Sequence, residues 1–352
     1  MDLANDLLRR LGFMFYVMDP RDHLYEKVSD VPDYYKEVTP AFIFVIILEQ
    51  VLHLIRGKKL MRLNDSVTNI SQGILVELFK IPLYGAELIL YTWIYNNWRI
   101  GTLPWNSPWP WILCMVLTDF FFYWMHRITH QVSIMWWFHE PHHSSEEFNL
   151  TVPLRLSVFT SSALWLTYLP MAFFIPPSTF LVHYQLNIIF QYWLHSEYVP
   201  QLGILEYVFV TPSHHRVHHG RNRRCIDKIS EVSSFCGIVY SAHSNQKETK
   251  KLLLEQITYR LYGRNSVQWM ALEQIISCIQ GPGWSPGTPW LGHLEDIPEP
   301  KDDEPKYDPK LPRWLELYVI LHAAVMVTGY LQMIMFLSVS TSITHLPKNL
   351  PL

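Results

Sequence analysis

Apolar residues run through this chain in long blocks, separated by short polar or proline-rich breaks, and the blocks have the length of membrane-crossing helices. Ala41–Ile55, extended back toward Tyr35, reads as a first span, with Glu49, Gln50 and His53 inside it. Arg56, Lys58, Lys59 and Arg62 follow at once, which puts that end on the cytosolic side by the positive-inside tendency. Gly73–Trp98 reads as a second span, kinked at Pro82, with Glu77, Lys80 and Glu87 turned to protein or water. A tryptophan-rich turn through Trp98, Trp105 and Trp111 marks the opposite interface. Trp111–Met125 then returns as a third span. Leu150–Pro170 and Phe180–Tyr198, joined through Pro176 and Pro177, read as a hairpin that enters the membrane and comes back. Trp314–Leu337 is the clearest single span. Leu11 to Met18 is apolar but too brief to cross, and no small-residue cleavage site follows, so an interfacial segment is expected there rather than a cleaved leader. The fold class is all-α, a polytopic membrane helical bundle.

Composition supports that frame. Hydrophobic residues make up 49% and charged residues only 17%, against about 25% charged in average soluble domains. The net charge of −3 gives no basic surface for nucleic acid. Cys114, Cys225, Cys236 and Cys278 form no paired spacing, so free thiols are expected. No phosphate-binding glycine loop and no Gly-x-Ser-x-Gly elbow occurs.

The chemistry lies in the histidines. His126 and His130 are four apart and share one helix face, with Asp119 and Tyr123 on the same face one and two turns earlier. His139-x-x-His142-His143 follows after a short break, and His215-x-x-His218-His219 repeats its spacing. Neutral imidazole is a common ligand of iron, zinc and copper. Surface histidines at a membrane edge are the bland reading, and the recurrence of the box argues against it. Eight imidazoles exceed one tetrahedral site and can serve two metal ions; an all-histidine set with open positions suits iron better than a closed zinc site. The zinc-protease pattern His-Glu-x-x-His is absent, since His139-Glu140-Pro141-His142-His143 has other spacing.

Polar residues near the boxes divide between two readings. Asp119 either accepts an N–H from a ligand histidine, fixing its tautomer, or ties two helices together. Glu146, Glu147 and Asn149 either support the ligands or cap the next helix. His183, Asn187, Gln191 and His195 are each four apart and make one polar line on an apolar helix, which should face the protein interior. His183 reads as a structural or substrate-channel residue. His53 reads as a polar group at the membrane edge.

The three boxes among membrane spans resemble the fatty acid hydroxylase superfamily of membrane di-iron enzymes. Longer strings narrow the likeness: Asp119 to His130, His142 to Leu150, Phe190 to Glu197 and Thr211 to Asp227 are similar to the alkylglycerol monooxygenase branch. The likeness covers roughly residues 35–228 and, more weakly, 281–295. It implies two irons held by His126, His130, His139, His142, His143, His215, His218 and His219. It implies His195 as an additional ligand or close support, with His214 supporting the third box. It also implies O₂ as oxidant, tetrahydrobiopterin as reductant, and an ether lipid hydroxylated beside its ether oxygen, which collapses to a fatty aldehyde and a glycerol derivative. The implied setting is the endoplasmic reticulum membrane, with the boxes facing the cytosol. No residue pattern identifies a pterin pocket.

The resulting division is an N-terminal interfacial segment over 1–40, a membrane catalytic domain over 41–228, a divergent segment over 229–280, a proline-rich loop and linker over 281–312, and a C-terminal membrane helix and tail over 313–352. Lys247–Tyr262 has the pattern of an amphipathic surface helix. Two other functions use the same features: the same oxidation on a sterol or sphingolipid chain, or a catalytically impaired membrane scaffold.

Overall fold

The computed structural model describes residues 3–80, 86–159, 165–220, 225, 278–284, 287–293, 295 and 310–344, and every regular element among them is helical. Helix α1 (Leu3–Phe13) packs its end under α2 (Tyr34–Ile55), which starts where the Asp33 carboxylate accepts the Lys36 N–H. Glu49, inside α2, is buried and accepts the Leu150 N–H at 3.0 Å. His53 bonds the Lys59 carbonyl at 2.9 Å, near the membrane-edge end of the helix.

The span expected over Gly73–Trp98 is occupied by α3 (Leu63–Lys80) and α4 (Ala86–Trp98), with 81–85 outside the described residues. Helix α3 begins well before the apolar stretch because its polar Asp65 and Asn69 find buried partners in the Ser145–Arg155 region. Pro82 and the side chain of Glu87 lie outside the described residues.

Helix α5 (Pro108–Gln131) opens with Ser107 accepting the Trp109 N–H and with Pro108 at its first position. It outruns the expected third span and carries the first histidine box in its last turns. The chain breaks at Val132 and resumes as α6 (Ser133–His143). Within the expected arm over Leu150–Pro170, 3₁₀ turns occupy Val152–Leu154 and Trp165–Phe173, residues 158–159 are α-helical, and 160–164 lie outside the described residues. Asn149 and Thr151 spend their side chains on turn bonds there, and Pro153 and Pro170 remove backbone donors. Helices α7 (Pro177–Trp193), α8 (Pro212–His218) and α9 (Arg313–Thr344) follow among the described residues.

Helix α7 is the central post. Phe180 stacks on Tyr91 of α4 with ring centroids 4.2 Å apart, and Tyr192 stacks on Phe42 of α2 at 4.0 Å. One apolar cluster joins α4, α5 and α7 through Phe122, Tyr168 and Met171; another joins α1, α2 and α7 through Phe13, Val38 and Leu186. The outward side of α5 is apolar as well, with Ile112, Val116, Phe120 and Trp124 exposed four residues apart. Among the described residues, two stretches are long and apolar enough to cross a membrane, Val28–Ile55 and Arg313–Phe336. None of the second is buried.

Asp65 and Arg155 form a largely buried ion pair at 2.9 Å. Asp65 also accepts the Ser145 hydroxyl at 2.6 Å and the Glu146 N–H at 3.3 Å, pinning the chain just after the second histidine box. Replacing Arg155 by methionine leaves that carboxylate without its counter-charge. The expected cost is about 3 kcal/mol, read as a lowered midpoint of thermal unfolding. A loss below about 1 kcal/mol would show the pair to be as weak as an exposed one.

Candidate metal centre

Helical spacing explains how the boxes divide. In each His-x-x-His-His box the first and last histidines are four apart and share a face, while the middle one turns aside. His139 and His143 of α6 therefore meet His126 and His130 of α5, while His142 points to a different group. In α8 the assignment is exchanged: His215 and His219 join His142, and His218 joins the α5 pair. His195, just past the end of α7, completes the second group.

Two clusters result, His126, His130, His139, His143 and His218, and His142, His195, His215 and His219. Within each, the ligand nitrogens all lie within 4.8 Å of one another. The rings meet nitrogen to nitrogen: His126 and His218 at 3.0 Å, His139 and His143 at 3.1 Å, His142 and His195 at 3.2 Å, His195 and His215 at 2.9 Å, and His215 and His219 at 3.2 Å. Imidazole nitrogens about 2.1 Å from one ion stand about 3.0 Å apart at right angles and about 4.2 Å apart across it. The observed separations fit that arrangement. The buried His130 Nε2 has no hydrogen-bond partner, as a ligand nitrogen would not. The donor set therefore fits nitrogen-binding metals such as iron, zinc or copper.

The environment keeps these rings neutral, the form that binds metal. Burial, reinforced by neighbouring imidazoles, holds His139, His143, His215 and His219 well below the usual histidine range. Burial brings His142 down to about 4. His195 Nδ1 donates to the Gln191 carbonyl at 3.3 Å, which leaves Nε2 as the lone-pair nitrogen facing His142 and His215. Phe148 stacks on His195 at 5.4 Å, and Trp136 lies 5.0 Å from His130, so aromatic walls screen both groups from water.

A sequence model of the fatty acid hydroxylase family matches residues 111–239. The chain is 38% identical to the alkylglycerol monooxygenase of Xenopus tropicalis, over 92% of this chain and 76% of that protein. It is 38% identical to the Homo sapiens alkylglycerol monooxygenase, over 90% of this chain and 75% of that protein. The chain belongs to the alkylglycerol monooxygenase family. Membership makes it an oxidoreductase, and the likeness to other alkylglycerol monooxygenases reaches well beyond residues 35–228. Identity to the Caenorhabditis elegans family member is 33%, over 89% of this chain and 69% of that protein. No solved structure matches.

The remaining residues singled out in this alkylglycerol monooxygenase relative lie around the two groups. Asp119 is buried, and its charge acts on the Tyr16 and Tyr168 phenols. His214 is half-buried and faces Glu206, outside both groups. Glu206 accepts the Thr211 hydroxyl at 2.7 Å and the Leu202 N–H at 3.0 Å, anchoring the entry to the third box. Glu146 gives its N–H to Asp65. Asn149 accepts from the Thr151 N–H and hydroxyl at 2.9 and 2.6 Å, and donates to Glu147 at 3.2 Å. His183 sits between Tyr16 and Trp111, away from the metal groups. Lys247–Tyr262 lies outside the described residues.

Sequence reasoning missed Arg216, which donates to the Ser196 and Val199 carbonyls at 2.9 Å each and so ties the third box to the turn after His195. Its place inside the box was the available signal. Trp136 and Phe148 flank the second box and carried a weaker one. Asp65 carried none.

Proposed function

We propose that this chain is a membrane di-iron monooxygenase that hydroxylates the alkyl chain of an ether lipid beside the ether oxygen. The hydroxylated product breaks down to a fatty aldehyde and a glycerol derivative. The observation that carries the reading is the pair of adjoining, buried, all-imidazole groups in a member of the alkylglycerol monooxygenase family. His126, His130, His139, His143 and His218 hold one ion; His142, His195, His215 and His219 hold the other. Neither group contains a carboxylate. Four or five imidazoles leave positions open on an octahedral ion, which favours iron over closed structural zinc. When bound, the iron pair supplies O₂ activation and oxidation of the C–H bond. Tetrahydrobiopterin would be the two-electron reductant that balances the second oxygen atom as water.

The residues of the chain set the geometry. Asp65, through Ser145 and Glu146, fixes the path that leaves the second box. Arg216 fixes the third box against His195. Phe148 and Trp136 exclude water. Asp119, His214, Glu146 and Asn149 act as supports around the ligand set. The exposed apolar sides of α2, α5 and α9 face lipid in a multi-pass arrangement, with the boxes at the cytosolic face of the endoplasmic reticulum and the substrate entering from the bilayer. Residues 41–228 form the catalytic domain, and 313–352 supply a further membrane helix and tail.

The test is aldehyde release from an alkylglycerol in membranes containing the chain, with tetrahydrobiopterin and O₂, against samples lacking either one. Release that needs both, together with two irons per purified chain, is the expected result. Bound iron with oxidation of a sterol or sphingolipid instead would move the substrate assignment. A chain without metal would leave the scaffold reading.

A further inference from the structure

The elbow between α5 and α6 leaves backbone groups that no helix satisfies. Helix α5 ends at Gln131, Val132 is extended (φ −122, ψ 124), and α6 starts at Ser133 without a side-chain cap. Terminal carbonyls and first N–H groups of helices need outside partners. Here both come from far along the chain. Trp290 Nε1–H donates to the Gln131 carbonyl at 2.6 Å. The Gln280 carbonyl accepts the Ser133 N–H at 2.7 Å and the Ser133 hydroxyl at 2.9 Å.

The loop that delivers these groups is built to be thin. A Cβ on Gly281 would fall 1.9 Å from the Trp290 carbonyl oxygen, and one on Gly283 would fall 2.2 Å from that of Leu291. Only glycine lets the two limbs approach so closely. The Gly281-Pro282-Gly283-Trp284 string is thereby explained as a packing requirement.

The elbow stands between the two halves of one histidine group only. His126 and His130 lie before it, and His139 and His143 after it; the rings of His130 and His139 are 4.9 Å apart and those of His126 and His139 4.5 Å. The other group takes nothing from α5 and a single residue, His142, from α6. We propose that residues 278–284 and 287–292 form a clamp that positions the α5–α6 elbow, and through it chiefly the five-histidine group. The clamp residues act by holding the angle between two ligand pairs. This inference rests on the metal reading above.

The test compares the full chain, loaded with ferrous ion, with Trp290→Phe and Gly281→Ala under a graded chelator challenge. Trp290→Phe keeps an aromatic side chain of smaller volume and removes the N–H donor, so it stays interpretable if Gly281→Ala fails to fold. Both variants are expected to give up about one of the two ions at roughly tenfold lower chelator than the parent, and to keep the other. Ser133→Ala, which retains the backbone N–H, should shift less. Variants that hold both ions as the parent does, or that lose both in step, would overturn the clamp. A parent that binds no metal would instead overturn the metal reading, and the clamp with it.

Discussion

Replacing His195 by alanine is expected to cut turnover by at least about 100-fold and to lower bound metal to about one ion per chain, an effect at or beyond the upper end of that seen for outer partners of metal ligands. The reason is geometric. Its Nε2 stands 3.2 Å from that of His142 and 2.9 Å from that of His215, at the centre of the four-histidine group. Its Nδ1–H is engaged by the Gln191 carbonyl, so the ring presents a fixed lone pair. Removing it leaves three imidazoles and a gap facing Phe148. His143→Ala should do equal damage from the other group. His214→Ala is the contrast: that ring faces Glu206 outside both groups, and its loss should change metal content little. Metal analysis beside aldehyde release separates the cases. If His195→Ala retained both ions and most of its turnover, the four-histidine group would be misassigned, and His195 would be only a packed polar residue on the α7 stripe.

The eight box histidines were legible in the sequence because a helix turns spacing into direction. Residues four apart meet, and the middle histidine of each His-x-x-His-His box must face elsewhere. What spacing does not carry is which box meets which, and that decides how the ions are shared. His195 was legible only as the last member of a polar line and through family likeness. Its partners His142 and His215 come from other elements, so no local pattern pairs them. Asp65 with Arg155, and Gln280 and Trp290 with the elbow, join residues far apart in the chain, where sequence periodicity is silent.

The helices show a similar division. α2, α5, α7 and α9 were legible as apolar blocks. Gly73–Trp98 was legible only in part, because hydropathy missed the polar start of α3 at Leu63. The start of Leu150–Pro170 was apolar enough for a helix, but the turn-forming Asn149, Thr151 and Pro153 outweighed composition there.

Acid should unfold the metal-free protein early, and the sign follows from the histidines. Burial lowers His142 to about 4 in the folded chain, against an ordinary value of 6.5. Between those values the unfolded chain binds a proton that the folded chain excludes, so stability falls as pH is lowered through that window. At pH 5, about 1.5 units below the unfolded value, one such group costs about 2 kcal/mol. His139, His143, His215 and His219 are lowered in the same direction, so their costs add to it. Total stabilities are typically about 5–15 kcal/mol, so a few such groups suffice to consume the margin. Thermal midpoints of the chelated protein should therefore drop steeply from pH 7 to pH 5. With metal bound, the same protons compete for the same nitrogens, and ion release should occur over the acid range. A midpoint that stayed level to pH 5 in the chelated protein would mean that the rings gain protons in the folded state. They would then be reached by water, and the dry, neutral pocket inferred from Phe148, Trp136 and the crowding of the rings would not exist.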